Sequence, residues 1–218
     1  MELIYGTGND AKLAYMRRTL SDLPLQITGL LDAAKIRGIE LPEVEENGNT
    51  PLENARQKAE AYFALFHSPV FSCDSGLYLY DHLTGELLPE EVQPGIHVRG
   101  RGEKRLSDEE LLTHYVGLVK KYGRIRARYQ NAICLIFNEE IRQESMEENL
   151  WGEPFLLTDV PHTKKVPGFP LDGISIDIKT GRYFYDLENN SQDEIVSNSG
   201  FSLFFCHFLE KYPFLLLL

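Results

Sequence analysis

Cysteine is scarce in this chain: Cys73, Cys134 and Cys206 are its only three, far apart and without a C-x-x-C pair. That excludes a disulfide framework and a thiolate zinc site, and predicts a reducing, cytoplasmic setting. Basic residues are in deficit, 22 Lys and Arg against 33 Asp and Glu, a formal net charge of −11. So acidic a chain repels phosphodiester backbones, which argues against nucleic-acid polymers as partners. Any polyphosphate ligand needs a local basic patch, a metal ion, or both. Long hydrophobic runs are also lacking. The start, Met1-Glu2-Leu3-Ile4-Tyr5, has no signal-peptide pattern, and the apolar segment 201–218 is broken by His207, Glu210, Lys211 and Pro213. No membrane span is expected. The closing Leu215–Leu218 run is expected to pack on the body or on a partner subunit.

What the chain does have is ordinary globular material: 218 residues, 43 % hydrophobic and 25 % charged, enough for one domain over 1–218 with its own core. Strand and helix patterns alternate, which predicts a mixed α/β fold. Leu3-Ile4-Tyr5 reads as a buried strand, followed by a helix carrying Leu13, Met16 and Leu20, capped by Asn9 or Asp10. Residues 25–31 and, more weakly, 36–41 read as further strands. Thr50-Pro51-Leu52-Glu53 is a helix start with cap, proline and capping-box acid, leading into an apolar stripe that ends at Phe66. Pro69-Val70-Phe71-Ser72 reads as a strand ending at a Cys73-Asp74-Ser75-Gly76 turn. Residues 81–103 read as a loop or hairpin insertion. Ser107 and Glu110 form a second capping box, opening a helix through Val119. Strands are expected over 126–137, 141–146, 151–157 and 181–185, a loop over 161–173, and a last helix over 199–212.

Four segments carry residues suited to chemistry. Thr7-Gly8-Asn9-Asp10-Ala11-Lys12 joins a strand to a helix; taken alone it reads first as an ordinary turn, and otherwise as a place where backbone N–H groups and a lysine meet an anion, and it is not a Walker loop. Glu43, Glu45 and Glu46 precede Gly48, either as a solvated acidic loop or as oxygen ligands for Mg²⁺. Lys58 lies beside the apolar stripe, reaching over a cleft or snorkelling to solvent. Asp74 follows an apolar strand, where α/β folds place ligand chemistry, or else belongs to a plain Asp-Ser-Gly turn.

Order and spacing make these segments more specific together. Thr7-Gly8-Asn9-x-x-Lys12, Glu46-x-Gly48-x-Thr50-x-x-Glu53-Asn54-Ala55-x-x-Lys58-Ala59, Asp74-Ser75-Gly76-Leu77 and Pro94-Gly95-Ile96 resemble the inosine triphosphate pyrophosphatase family. These house-cleaning enzymes hydrolyse inosine and xanthosine triphosphates, and the deoxy forms, to monophosphate and pyrophosphate. The resemblance implies an elongated mixed β-sheet with flanking helices, two lobes around a central cleft, and a homodimer. By matched position, Thr7, Asn9, Lys12, Lys58 and Ser75 would hold phosphates, and Glu46 and Asp74 would bind Mg²⁺. Asp74 would also act as general base, with Lys58 and Glu46 beside it in the catalytic set. Phe169, Asp172, Asn198 and Ser199 would meet the base.

The chain also departs from the family. Cys73 stands where a second acid is usual. Phe169-Pro170-Leu171-Asp172-Gly173 replaces Phe-Gly-Tyr-Asp-Pro, and Ser197-Asn198-Ser199-Gly200 lacks the His and Arg that read a purine 6-oxo group. The expected preference for inosine or xanthosine over ATP and GTP is therefore weak, roughly tenfold or less. Alternatives are a pyrophosphatase for another modified or pyrimidine nucleotide, and a nucleotide-binding protein with little turnover.

Overall fold

The computed structural model describes residues 1–100, 106–166, 169–187 and 200–217. Among them are seven strands and five α-helices in a mixed α/β arrangement, so the expected fold class holds. The strands are β1 (Glu2–Tyr5), β2 (Gln26–Gly29), β3 (Val70–Asp81), β4 (Ile125–Ile136), β5 (Arg142–Ser145), β6 (Phe155–Leu157) and β7 (Ser175–Asp177). The helices are α1 (Asp10–Thr19), α2 (Leu30–Arg37), α3 (Pro51–Phe66), α4 (Asp108–Tyr122) and α5 (Gly200–Lys211). Sheet order is β2-β1-β3-β4-β6-β7, with β5 paired to β4 off that path. β1 runs parallel to both β2 and β3, while β4–β5, β4–β6 and β6–β7 are antiparallel. Among the described residues no helix is long and apolar enough to cross a membrane.

The chain separates into two compact units. The first comprises Met1–Ser75, Asn131–Trp151 and α5; the second comprises Gly76–Gln130 and the segment from Gly152 that holds β6 and β7. The first unit's core joins Leu3, Tyr5 and Met16 to Phe71, Ile133 and the phenylalanines of α5. Leu215 is buried in the same cluster, so the C-terminal leucines begin by packing on the body; Leu218 lies outside the described residues. Gly200 opens α5 against the backbone of Asn149, where any Cβ would collide with that residue's carbonyl oxygen. The second unit's core gathers Leu77, Leu79, Leu111, Tyr115, Ile125 and Phe155.

Several elements differ from their sequence reading. Residues 36–41 form no strand: Leu30, Ala33 and Ala34 share a buried helical face, and Gly38, at φ 63°, ends the helix in the left-handed region. Asp74-Ser75-Gly76 is not a turn. β3 continues through it to Asp81, because Leu77 and Leu79 keep the buried alternation and Leu77 exchanges two backbone hydrogen bonds with Gly95. Residues 81–99 fold back on that strand. Gln93 acts as a surrogate strand residue, its amide accepting from the Leu79 N–H and donating to the carbonyls of Leu79 and Leu88. The expected 181–185 strand is a single Ile176–Tyr183 bridge followed by a 3-10 turn, Phe184–Asp186. The loop expected at 161–173 ends in the 3-10 turn Pro170–Ile174, and β7, absent from the sequence reading, follows it.

Candidate active site

Glu46, Lys58 and Asp74 meet in the first unit. The start of α3 explains how. Thr50 caps the helix by accepting from the Glu53 N–H at 3.2 Å, and Pro51 fills the first helical position. The expected capping box is half made: the Glu53 carboxylate turns back to the Asn49 N–H rather than to the cap residue. Asn54 and Lys58, four residues apart, then share one helix face. Lys58 is 9 % exposed, and its Nζ lies 2.8 Å from Glu46 Oε2 and 3.2 Å from Asp74 Oδ1. It therefore neither snorkels nor stands free. Burial alone would pull its ammonium down, but the Asp74 and Glu46 carboxylates outweigh that and hold it above the usual lysine range.

Asn54, 3 % exposed, supplies the rest of the cluster. Its Nδ2 donates to Asp74 Oδ2 at 3.0 Å, and its Oδ1 accepts from the Gly48 N–H at 2.8 Å. Gly48 has to be glycine here: a Cβ would stand 2.6 Å from Glu53 Cβ and 2.8 Å from Asn54 Oδ1. Thus the loop carrying Glu46 is pressed against the helix start. Two carboxylates converging on one ammonium are the donor set Mg²⁺ takes when substrate phosphates and water complete its shell. Among the described residues no group of three or more His, Cys, Asp or Glu forms a closed metal cage. The residues fit a cation shared with substrate.

The α1 start is built differently. Asn9 is the cap, its Oδ1 accepting from the Lys12 N–H at 3.1 Å, while Thr7 Oγ1 accepts from the Asn9 N–H at 3.2 Å. Asp10 is the first helical residue instead. Gly8, Asn9 and Lys12 are exposed, and a Cβ on Gly8 would meet nothing. The cap takes the Lys12 N–H, while the first-turn N–H groups of Asp10 and Ala11 have no acceptor within the helix and belong to exposed residues.

Successive strand residues face opposite ways, so Cys73 and Ser75 lie across β3 from Asp74. They line a pocket of about 170 Å³ with Lys12, Tyr15, Asn131 and Phe201. Ser75 Oγ donates to Asn131 Oδ1 at 2.7 Å, and Asn131 Nδ2 donates to the Leu150 carbonyl at 2.8 Å. The Ser75 proton is thereby committed within the protein. Desolvation pushes the Cys73 thiol up to about 12, so it is a neutral packing group rather than a nucleophile.

Of the expected base-side residues, two belong to the second unit and two fall outside the described residues. Phe169 and Asp172 belong to the second unit. Phe169 is 54 % exposed, and its carbonyl accepts from Tyr185 OH at 2.6 Å. Burial pushes the Asp172 carboxyl up from its ordinary value. Leu171 is buried in that unit's core, so the leucine is a packing residue. Asn198 and Ser199 lie outside the described residues.

Sequence reasoning assigned no role to Asn54 or Asn131. Asn54 did leave a signal: a poor helix former facing the same way as Lys58 inside a helix needs a polar partner. Asn131, one polar residue at the edge of the apolar run 132–136, left none.

The model of the Ham1 family matches residues 3–169. A dITP/XTP pyrophosphatase of Treponema denticola is 32% identical over 174 residues, covering 78% of this chain and 81% of the relative. One of Symbiobacterium thermophilum is 31% identical over 218 residues, covering 98% and 96%. Solved Ham1 structures from Coxiella burnetii (TM-score 0.67, 21% identity, 97% of this chain and 98% of that one) and Staphylococcus aureus (TM-score 0.65, 23% identity, 97% and 99%) share the fold. The resemblance read from the motifs is borne out, and this chain belongs to the Ham1 family.

Proposed function

We propose that this protein hydrolyses inosine- and xanthosine-type nucleoside triphosphates, such as ITP, dITP and XTP, to the monophosphate and pyrophosphate. The relatives named dITP/XTP pyrophosphatase support the activity. The observation that carries it to residues is the Glu46–Lys58–Asp74 cluster, with its buried ammonium held between two carboxylates.

A triphosphate brings about four negative charges, which this acidic chain accepts only through local cations and N–H donors. Lys12, Asn9 and Thr7 offer those at the α1 start and take the phosphates. Asp74 accepts Lys58 on one oxygen and Asn54 on the other, which fixes the carboxylate plane. Each oxygen keeps a second lone pair, so Asp74 can take a proton from water attacking the α-phosphorus. Lys58 offsets the charge growing on the phosphoryl oxygens. Glu46 and Asp74 are the residues that would hold Mg²⁺, which when bound neutralises charge on the leaving pyrophosphate. Ser75, whose proton goes to Asn131, contributes to phosphates only by giving up that bond. On the base side, exposed Phe169 offers a stacking face, with Asp172, Asn198 and Ser199 as polar readers. A cytoplasmic homodimer completes the reading, supported by the family resemblance and the scarcity of cysteine. Sedimentation across a concentration series tests the dimer.

A nucleotide panel with Mg²⁺ tests the function. Pyrophosphate release from dITP and XTP is expected. Orthophosphate release contradicts it, and tight binding without turnover favours the nucleotide-binding alternative.

A further inference from the structure

Asn54 is buried at the end of the first turn of α3, and both ends of its amide are used. The Gly48 N–H can only donate, so the atom it meets is Oδ1, and the amide nitrogen must then face Asp74. The backbone thus sets the amide's direction, and the amide sets the carboxylate's. Lys58 on the other oxygen cannot do this alone, because an ammonium is a point charge about which a carboxylate can still turn. The same side chain anchors the loop two residues beyond Glu46. We infer that Asn54 is a positioning residue: it clamps Asp74 and the Glu46 loop into one geometry, so that the proton acceptor and the second carboxylate keep a fixed relation.

This inference rests on the pyrophosphatase reading for its kinetic consequence, whereas the clamp itself is a property of the nucleotide-free protein. Asn54 acts on the chemistry mainly through Asp74 and otherwise only through the Glu46 loop, so most of the effect of its loss requires a functional Asp74. Asn54→Ala is expected to lower kcat for dITP by roughly 30-fold or more, with KM within about threefold. In an Asp74→Asn background the same change is expected to cost several-fold less than in the wild type, the remainder passing through the Glu46 loop, a strong departure from additivity. A merely structural asparagine gives equal losses in both backgrounds, or moves KM alone, and either result overturns the inference. Thermal unfolding of each variant checks folding. A readout without turnover covers the case of a poorly folding variant: the Asn54 side-chain amide protons, followed by ¹H–¹⁵N NMR, should exchange slowly in the wild type and quickly in Asp74→Ala. Fast exchange in the wild type overturns the clamp. Slow exchange in a protein that does not hydrolyse dITP leaves the clamp standing and the pyrophosphatase reading rejected.

Discussion

At the start of α1, Asn9 caps the helix and Lys12 stands exposed, without an ion pair among the described residues. At the start of α3, Thr50 caps the helix and Lys58, two turns in, is buried between Glu46 and Asp74. Both starts carry a glycine just upstream of the cap, yet Gly8 looks onto open space and Gly48 is packed against Glu53 and Asn54. The same residue types therefore do different work. One start leaves its cation and its free first-turn N–H donors available for an anion; the other holds its cation between two carboxylates, with one of three ammonium N–H groups to spare. A phosphate-handling site in an acidic protein needs both kinds.

The sharpest way to break this contrast is to remove each lysine. Lys58→Ala leaves two carboxylates facing each other with no counter-charge. It should cut kcat by at least roughly 10²-fold, and cost about 2–3 kcal/mol of stability, the low side for a buried pair because Glu46 is half exposed. Wild-type thermal stability in that variant would mean Lys58 is not the buried partner described. The glycines come next. Gly48→Ala should destabilise by about 1–3 kcal/mol through overpacking, whereas Gly8→Ala should stay within about 0.5 kcal/mol. If Gly8 serves close approach of a phosphate, the latter still raises KM for the triphosphate. Equal melting-temperature losses at the two sites would erase the distinction. Lys12→Ala should weaken triphosphate binding about tenfold by calorimetry, leaving nucleoside affinity and melting temperature unchanged. An equal loss of nucleoside affinity would make Lys12 structural.

The smallest effect lies on another face of α3. There Arg56 meets Glu144 of β5 through two hydrogen bonds, and that guanidinium holds the Glu144 carboxyl below its ordinary range. A depressed carboxyl stabilises the fold above its unfolded pKa and loses that contribution as pH falls through the folded value. With both side chains about one-third exposed, Glu144→Gln should cost only about 0.5 kcal/mol at pH 7. The difference from wild type should vanish in acid; a constant offset across denaturant melts from pH 7 to pH 3 would contradict the assignment.

Much of this architecture was legible in the sequence because local rules and packing agreed. The Asn9, Thr50 and Ser107 caps, the α3 stripe and the α/β alternation all rest on short-range chemistry. The failures came where tertiary pairing overrode local preference. Asp74-Ser75-Gly76 has turn composition, but the Gly95 segment pairs with β3 and carries the strand through. Ile36, 79 % exposed, imitated a strand residue on what is the outer face of α2. In the site, residue types and order marked Glu46, Lys58 and Asp74, whereas the Asn54 and Ser75–Asn131 hydrogen bonds link residues 20 and 56 positions apart, which no spacing rule reports.

In the proposed reaction Asp74 directs water to the α-phosphorus of an inosine- or xanthosine-type triphosphate. Hydrolysis of dITP in H₂¹⁸O, with products resolved by mass spectrometry, tests it most directly. One ¹⁸O is expected in the nucleoside monophosphate and none in the pyrophosphate, with at least a roughly 10²-fold slower appearance of label with a folded Asp74→Asn protein. Label in pyrophosphate, release of labelled orthophosphate, or an unchanged rate in the Asp74→Asn protein would contradict it.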